Sequence, residues 1–290
     1  MNGTADFRAP SQASPFASPS LSVALATGPA QLRGSPRGRP RRPLTGWILP
    51  LCVLALWEVL ARFGVLPQHW FPAPTRVWRA LGTLGASGVL FRHVGATMLR
   101  VLVGFAGGAL LGTLLGIATG RSRRLHALLD PALQALRSIP SLAWVPLFLL
   151  WLGIGEGSKV ALIALGVFFP VYLNVTTGIM AVDRRLLEVA ALFSYRGPRL
   201  ARHVLLPAAL PAFIAGLRGG LGLGWMFVVA AELMGASRGL GYLLVDGQTT
   251  SRPELVLAAI LCFALLGKLT DLPFDIWSRR WRWKRFESAE

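Results

Sequence analysis

Long apolar runs separated by short polar connections dominate the pattern of this chain. A hydrocarbon core of about 30 Å needs roughly 20 apolar residues per helix, and six runs are candidates. They lie near residues 44–63, 94–119, 141–155, 160–182, 212–236 and 254–277. The third run is short and carries Pro140 and Pro146, so we expect a kinked or only partly spanning helix there. The pattern predicts an all-α polytopic membrane protein with about six transmembrane helices.

Basic residues are distributed unevenly over the connections between these runs. With the N-terminus inside, the cytoplasmic segments hold 20 Lys and Arg residues and the outer segments hold 6. Cytoplasmic loops of membrane proteins carry such an excess. The count predicts a multi-pass protein of the bacterial inner membrane with both termini in the cytoplasm.

Composition excludes several other classes of protein. The chain is 53 % hydrophobic with a net charge of +17, and a nucleic-acid binder of that charge would be polar overall. Cys52 and Cys262 both lie inside apolar runs, so we interpret them as core residues rather than disulfide or metal positions. The four histidines are scattered over connections on both sides, which argues against a catalytic or metal site and against a membrane enzyme.

The two ends of the chain differ from the apolar region, 44–277. Residues 1–43 are rich in Ser, Pro, Ala, Gly and Arg and are predicted to be a disordered basic tail that is dispensable for function. Basic residues follow its weak apolar patch rather than precede it, so it is not a signal peptide. Residues 278–290 form a predicted cytoplasmic basic tail, whose Trp281-Arg282-Trp283-Lys284-Arg285 would anchor it at the membrane surface.

The outer segment 64–93 contains two prolines that interrupt regular structure, followed by a helical pattern. Prolines at positions 72 and 74 interrupt the chain, and Thr75 is a candidate helix cap. Val77, Trp78, Leu81 and Leu84 then fall at helical spacing. We predict a short amphipathic helix on the outer membrane surface.

The polar connection 183–211 is the most informative part of the sequence. It reads Glu188-Val189-Ala190-Ala191, then Ser194-Tyr195-Arg196-Gly197, and ends in Leu205-Leu206-Pro207. This pattern predicts two short helices with a turn at 196–198. Small side chains would let such a helix lie in the groove of another protein, whereas the alternative is an interfacial hairpin that touches only lipid headgroups.

These residues resemble the EAA loop of ABC importer permeases, which has Glu-Ala-Ala, a Gly six residues after the Glu, and a Leu-Pro near its end. Val189 and Ser194 depart from that motif. The resemblance implies a loop that couples the chain to an ATPase. Its residues would be Glu188, Ala190, Ala191, Ser194, Gly197, Leu206 and Pro207.

Further segments resemble those of the aliphatic sulfonate, taurine and nitrate permeases, and the resemblance to the aliphatic sulfonate permeases is closest. These segments include Arg137-Ser138-Ile139-Pro140 and Gly239-Leu240-Gly241-Tyr242. The resemblance implies a type I ABC importer permease fold, a homodimer, two cytoplasmic ATPase subunits, an extracytoplasmic substrate-binding protein and alternating access. Its substrate would be a small organic anion, most simply an aliphatic sulfonate, with taurine, nitrate or a thiamine precursor as alternatives. The chain has no Gly-x-x-x-x-Gly-Lys-Ser/Thr phosphate loop, so ATP would be bound by the partner and no cofactor by the chain itself. A secondary transporter is the alternative class of transport protein. Such proteins often consist of two related halves, and we find no such repeat in this sequence.

Two predicted helices carry glycine at every fourth position, which allows close helix packing in lipid. The first series is Gly104, Gly108, Gly112, Gly116 and Gly120, and the second is Gly216, Gly220 and Gly224. We expect these series to pack either within the subunit or at the dimer interface.

Four residues are candidates for a translocation pathway. Arg218, Trp225 and Glu232 are spaced by seven and share the helix face opposite the second glycine series, so we interpret that face as lining a cavity. Arg218 could instead reach the membrane surface with its long side chain. Arg100 is placed to pair with Glu232 at similar depth, to reach the membrane surface, or to contact substrate.

Overall fold

The computed structural model describes the backbone of residues 45–140 and 143–287 and the side chains of residues 48–140, 143–197, 199–200 and 202–277. The expectations for residues 1–43 and for the C-terminal tryptophans and basic side chains lie outside this description. Every regular element of the described residues is helical. The helices are α1 (Thr45–Arg62), α2 (Pro74–Ala86), α3 (Val89–Arg121), α4 (Arg123–Ser138), α5 (Trp144–Leu152), α6 (Glu156–Met180), α7 (Arg184–Leu192), α8 (Gly197–Leu200), α9 (Leu206–Leu233), α10 (Leu240–Thr249) and α11 (Pro253–Glu287).

Four stretches of helix are long and apolar enough to cross a membrane. Within the described residues they are Val89–Arg121, Glu156–Met180, Arg202–Leu233 and Pro253–Trp277. They coincide with four of the six predicted spans, and α1 coincides with the first. The remaining predicted span, 141–155, has a different structure.

The first glycine series brings α3 against α6. Gly104 faces Ile163, Gly112 faces Phe168, and Gly120 faces Ile179, so the two helices run parallel. A Cβ added at Gly112 would lie 2.8 Å from the carbonyl oxygen of Phe168. The two backbones are therefore in direct contact, as small residues permit in membrane helices.

The second glycine series brings α9 against the same helix. Gly216 faces Asn174 and Gly220 faces Val167, so α9 runs antiparallel to α6. Both series therefore pack within the subunit, the first of the two alternatives. Val167, Val171 and neighbouring residues of α6 are buried between the two contacts and form the centre of the core.

Helices α4 and α5 together make one interrupted crossing. Because α3 and α6 are parallel, the end of α3 and the start of α6 lie at opposite ends of the bundle, and the chain between them must traverse it. It does so as helices of 16 and 9 residues, about 24 and 14 Å long. The expectation of an only partly spanning helix at 141–155 is therefore confirmed, since α5 makes only the second half of the crossing. The first half, α4, escaped detection because Arg123, Arg124 and Asp130 give it a polar face.

The predicted helix after Pro74 is present as α2, and it buries Val77 and Ala80. Its cap differs from the prediction. Ala73 occupies the cap position without a side-chain bond, and the Glu58 carboxylate of α1 accepts hydrogen bonds from the Thr75 backbone N–H and hydroxyl, both at 3.0 Å. A carboxylate at a helix N-terminus is stabilising. The side chain that caps α2 is therefore Glu58, and Thr75 donates to it.

Candidate functional site

A buried arginine joins three helices near one end of the bundle. The Arg100 side chain of α3 is 2 % exposed and its guanidinium lies 2.6 Å from the Glu232 carboxylate of α9. It also donates to Glu156, the first residue of α6, at 2.7 Å, and to the Arg238 carbonyl oxygen at 2.7 Å. Of the three alternatives for Arg100, the ion pair with Glu232 is the one the structure shows.

The Glu232 carboxylate is fully occupied by neighbouring donors. Besides Arg100, it accepts hydrogen bonds from the Thr97 hydroxyl at 2.9 Å and from the Gly241 backbone N–H at 2.7 Å. The Leu240 N–H donates in turn to the Thr97 hydroxyl oxygen at 2.8 Å. This network fixes the start of α10 against α3 and α9. Glu232 thus acts as a structural hub in this conformation.

Sequence reasoning missed Glu156 and α10. Glu156 falls in a connection between predicted spans, and its partner lies 56 residues earlier in the chain, so the spacing of residues within one helix carries no signal for it. The available signal for α10 was the glycines at 239 and 241. At Gly239 the backbone φ is +128°, a conformation that favours glycine.

The face of α9 that carries Arg218 and Trp225 packs on α11. Arg218 makes a bidentate ion pair with Asp271, with both N–O distances 2.7 Å. The Trp225 indole N–H donates to the Thr270 hydroxyl at 2.9 Å. In this conformation side chains of α11 contact the face, while 41 % of the Arg218 side chain remains exposed, so the assignment of the face to a translocation pathway stays a prediction.

The predicted coupling loop begins with α7, which is capped by Asp183 accepting from the Arg185 N–H at 2.9 Å. The Glu188 side chain is exposed, and its carboxylate lies 3.3 Å from the Arg184 guanidinium. Ala191 is exposed, whereas Ala190 is only 3 % exposed. The expectation that both alanines face a partner is therefore wrong for Ala190, which is turned towards its own chain.

Helix α7 ends in a left-handed turn at Ser194, where φ is +56°. The Ser194 N–H donates to the Ala191 carbonyl and the Tyr195 N–H to the Ala190 carbonyl, both at 3.0 Å. This is the Schellman arrangement, which favours glycine at the left-handed position. Ser194 occupies that position here, and Gly197 supplies a second positive φ of +57°, so the predicted turn starts two residues earlier than expected.

The end of this connection leads directly into α9. A five-residue π-helical turn, Ala201–Leu205, links α8 to α9. Leu206 is 55 % exposed, and Pro207 lies in the first turn of α9.

Comparison with known proteins identifies close relatives over most of the chain. Residues 108–283 match the family model described as binding-protein-dependent transport system inner membrane component. SsuC of Bacillus subtilis (strain 168), which carries the name of an aliphatic sulfonates transport permease protein, is 44 % identical over 239 residues, which are 81 % of this chain and 87 % of that protein.

Two further relatives and one solved structure are informative. The taurine transport system permease protein TauC of Escherichia coli (strain K12) is 34 % identical over 79 % of this chain and 85 % of its own. The nitrate import permease protein NrtB of Synechocystis is 34 % identical over 61 % of this chain and 64 % of its own. A chain of the inward-facing MetNI methionine ABC transporter has a similar fold, with a TM-score of 0.60 and 19 % identity over 68 % of this chain and 97 % of that chain.

Proposed function

Because this chain belongs to the family of binding-protein-dependent transport system inner membrane components, we propose that it carries an aliphatic sulfonate across the inner membrane. It is the multi-pass permease subunit of an ABC importer, and ATP hydrolysis belongs to a separate subunit of such systems. The observation that carries the substrate proposal is the 44 % identity with SsuC. TauC and NrtB are named for taurine and nitrate, so the three relatives share an anionic cargo group.

Two copies of the chain form the pathway in this proposal, and each copy engages one ATPase through α7. The exposed Glu188 and Ala191 support this role, as does the resemblance of the loop to the EAA motif. Closure of the ATPase pair would then move the loop and switch the pathway between its two openings. An extracytoplasmic binding protein delivers the sulfonate to the opposite end of the bundle.

The parallel packing of α3 and α6 supports the proposed orientation. It brings the end of α3 and the start of α7 to the same end of the bundle. Arg121, Arg123, Arg184 and Arg185 therefore lie at one end, and the positive-inside rule assigns that end to the cytoplasm. The proposed orientation also assigns both termini to the cytoplasm, in agreement with the excess of basic residues in the cytoplasmic segments of the sequence.

The exposed apolar side chains at the end of α7 are compatible with the lipid-hairpin alternative for the loop as well as with the coupling role. Leu192 and Phe193 are 84 % and 70 % exposed, and apolar side chains of that size suit the membrane interface. They suit an apolar groove on an ATPase equally well. The two readings differ in what a bulky residue at Ala191 does, which is considered below.

Uptake by the reconstituted transporter tests the substrate. The chain, its ATPase and its binding protein would be placed in proteoliposomes, and ATP-dependent uptake of labelled ethanesulfonate would be measured. Excess butanesulfonate should compete, whereas nitrate should not. Omitting ATP is the control. Uptake that only taurine or nitrate inhibits would reject the aliphatic sulfonate and retain the importer.

A further inference from the structure

An open cavity of about 480 Å³ lies where the α4–α5 crossing is interrupted. Arg137 and Ser138 border it from the end of α4, and Trp144 borders it from the start of α5. The middle of α6, between Leu165 and Asn174, and the middle of α9 close the other sides. The cavity therefore lies at mid-length of the spanning helices. In secondary transporters, interrupted helices at such depth commonly surround a binding site, and the α4–α5 crossing has the same kind of interruption.

Arg137 is exposed and differs from Arg100 and Arg218 in its partners. Arg100 and Arg218 both pair with carboxylates within 2.7 Å. Arg137 has no carboxylate within salt-bridge distance in the part of the chain that the structure describes, and no described residue lining the cavity is acidic. A charged side chain at membrane depth is costly unless it meets water or a counter-ion. The cavity thus presents an unpaired guanidinium.

The rest of the lining is largely apolar. Trp144, Phe169, Met226 and Phe227 supply aromatic and thioether surface. The Asn174 amide donates one N–H to the Pro170 carbonyl at 2.8 Å, which leaves its second N–H for a ligand. One cation and one amide donor beside apolar walls match an anion that carries a hydrocarbon chain.

We propose that this cavity binds the organic anion in transit, with Arg137 pairing its sulfonate and Trp144 and Phe169 contacting its aliphatic chain. The proposal rests on the proposed function for the identity of the anion. An arginine can donate two parallel hydrogen bonds to an oxyanion group. An anionic phospholipid has the same combination of charge and chain, so it is the competing occupant.

Transport by variants of the reconstituted importer gives the first test. Arg137→Gln should raise the KM for alkanesulfonate uptake or lower its rate by about 10- to 100-fold in kcat/KM, and Arg137→Lys should recover part of it. Arg124→Gln, on the same helix but away from the cavity, is the matched control and should transport like wild type. Co-purification of the ATPase verifies that each variant assembles.

Chain-length preference gives the second test. Trp144→Ala should weaken uptake of octanesulfonate by about tenfold relative to ethanesulfonate, because the longer chain loses apolar contact. Unchanged relative uptake in Trp144→Ala together with wild-type transport in Arg137→Gln would overturn the cavity assignment. Should the wild type import nitrate and no sulfonate, the proposed function fails, and the response of nitrate uptake to Arg137→Gln still tests the site.

Photolabelling separates the transported anion from a lipid. A diazirine-bearing alkanesulfonate should label the segments 143–152 and 164–175 in phosphatidylcholine liposomes, and octanesulfonate should prevent the labelling. Arg137→Gln should abolish it, while Arg124→Gln should not. Protection by added phosphatidylglycerol but not by octanesulfonate would make the cavity a lipid site and refute the proposal.

Discussion

The guanidinium of Arg100 and the carboxylate of Glu232 meet at 2.6 Å, with 2 % and 0 % of their side chains exposed. This ion pair connects α3 to α9, and Glu156 extends it to α6. Three spanning helices are thereby held at one end by a single guanidinium. The pair is closed to solvent in this conformation, which distinguishes it from the arginine at the cavity.

Removing the charge of Glu232 should destabilise the subunit strongly. Glu232→Gln leaves the buried Arg100 with only one carboxylate, and breaking a buried ion pair from one side typically costs about 3–5 kcal/mol. Unfolding of the detergent-solubilised protein measures the effect. The control is Arg252→Gln, which breaks the exposed pair with Glu254 and should change stability by less than about 1 kcal/mol. Equal losses in the two variants would contradict a structural role for Glu232.

Adjacent glycines of α3 should respond differently to the same substitution. A Cβ at Gly108 would collide with the carbonyl oxygen of Ala164, whereas a Cβ at Gly107 would lie 4.0 Å from the Ala164 Cβ. Gly108→Ala should therefore lose about 1–3 kcal/mol by forcing α3 from α6. Gly107→Ala should be neutral or stabilising. Monodispersity after heating reports the difference, and similar behaviour of both variants would argue against the close α3–α6 contact.

Replacing Ser194 by glycine should stabilise the end of α7. Ser194 has a φ of +56°, and a non-glycine residue in that region costs roughly 1–2 kcal/mol, partly offset by the greater freedom of glycine when unfolded. We expect a gain of about 0.5–1 kcal/mol and slower hydrogen exchange of the Tyr195 amide. Ser87→Gly is the control, because Ser87 has an ordinary φ of −76°. Faster exchange at Tyr195 in Ser194→Gly would contradict the strain argument.

A large side chain at Ala191 should disconnect the ATPase without unfolding the permease. Ala191 is exposed on α7, so Ala191→Trp should obstruct a partner's groove, and Glu188→Arg should oppose the same contact. Both variants should insert normally but lose uptake and co-purification of the ATPase. Ala191→Ser, which stays small, is the control. The lipid-hairpin alternative expects Ala191→Trp to be tolerated, because tryptophan suits the membrane interface.

Reporter fusions should place both termini in the cytoplasm. Alkaline phosphatase is active only outside the cytoplasm, so a fusion after Glu290 should be inactive. A fusion after Gly64, which follows α1, should be active and serves as the positive control. Activity of the fusion after Glu290 would reverse the orientation inferred from the basic residues.

The features that sequence predicted well are local to one helix. The glycine series marked the contact faces of α3 and α9 because residues four apart lie on one side of a helix. The long apolar runs located α3, α6, α9 and α11 for the same reason. The pairing of Arg100 with Glu232 could be predicted as one alternative, because opposite charges at similar depth have few other partners in lipid.

The features that sequence missed depend on distant partners or on an interrupted helix. Asp271 pairs with Arg218 although the two residues are 53 positions apart, so the sequence of α9 alone could not show this contact with α11. The α4–α5 crossing lacks a continuous apolar run, since its first half presents polar residues. Ala190 and Ala191 are adjacent and identical, and only the fold separates the buried one from the exposed one.

The separation of Arg100 from Glu232 has a consequence for biosynthesis. The two residues are 132 positions apart, and a ribosome needs roughly 7 to 26 s to cover that distance at 5–20 residues per second. An arginine within a spanning segment enters lipid unfavourably. Arg100 must therefore remain hydrated, at the membrane surface or in the insertion machinery, until the later helices are made. Helix α6 brings the first carboxylate, Glu156, and the arrival of α9 brings the buried one, Glu232, which lets α3 settle at its final depth.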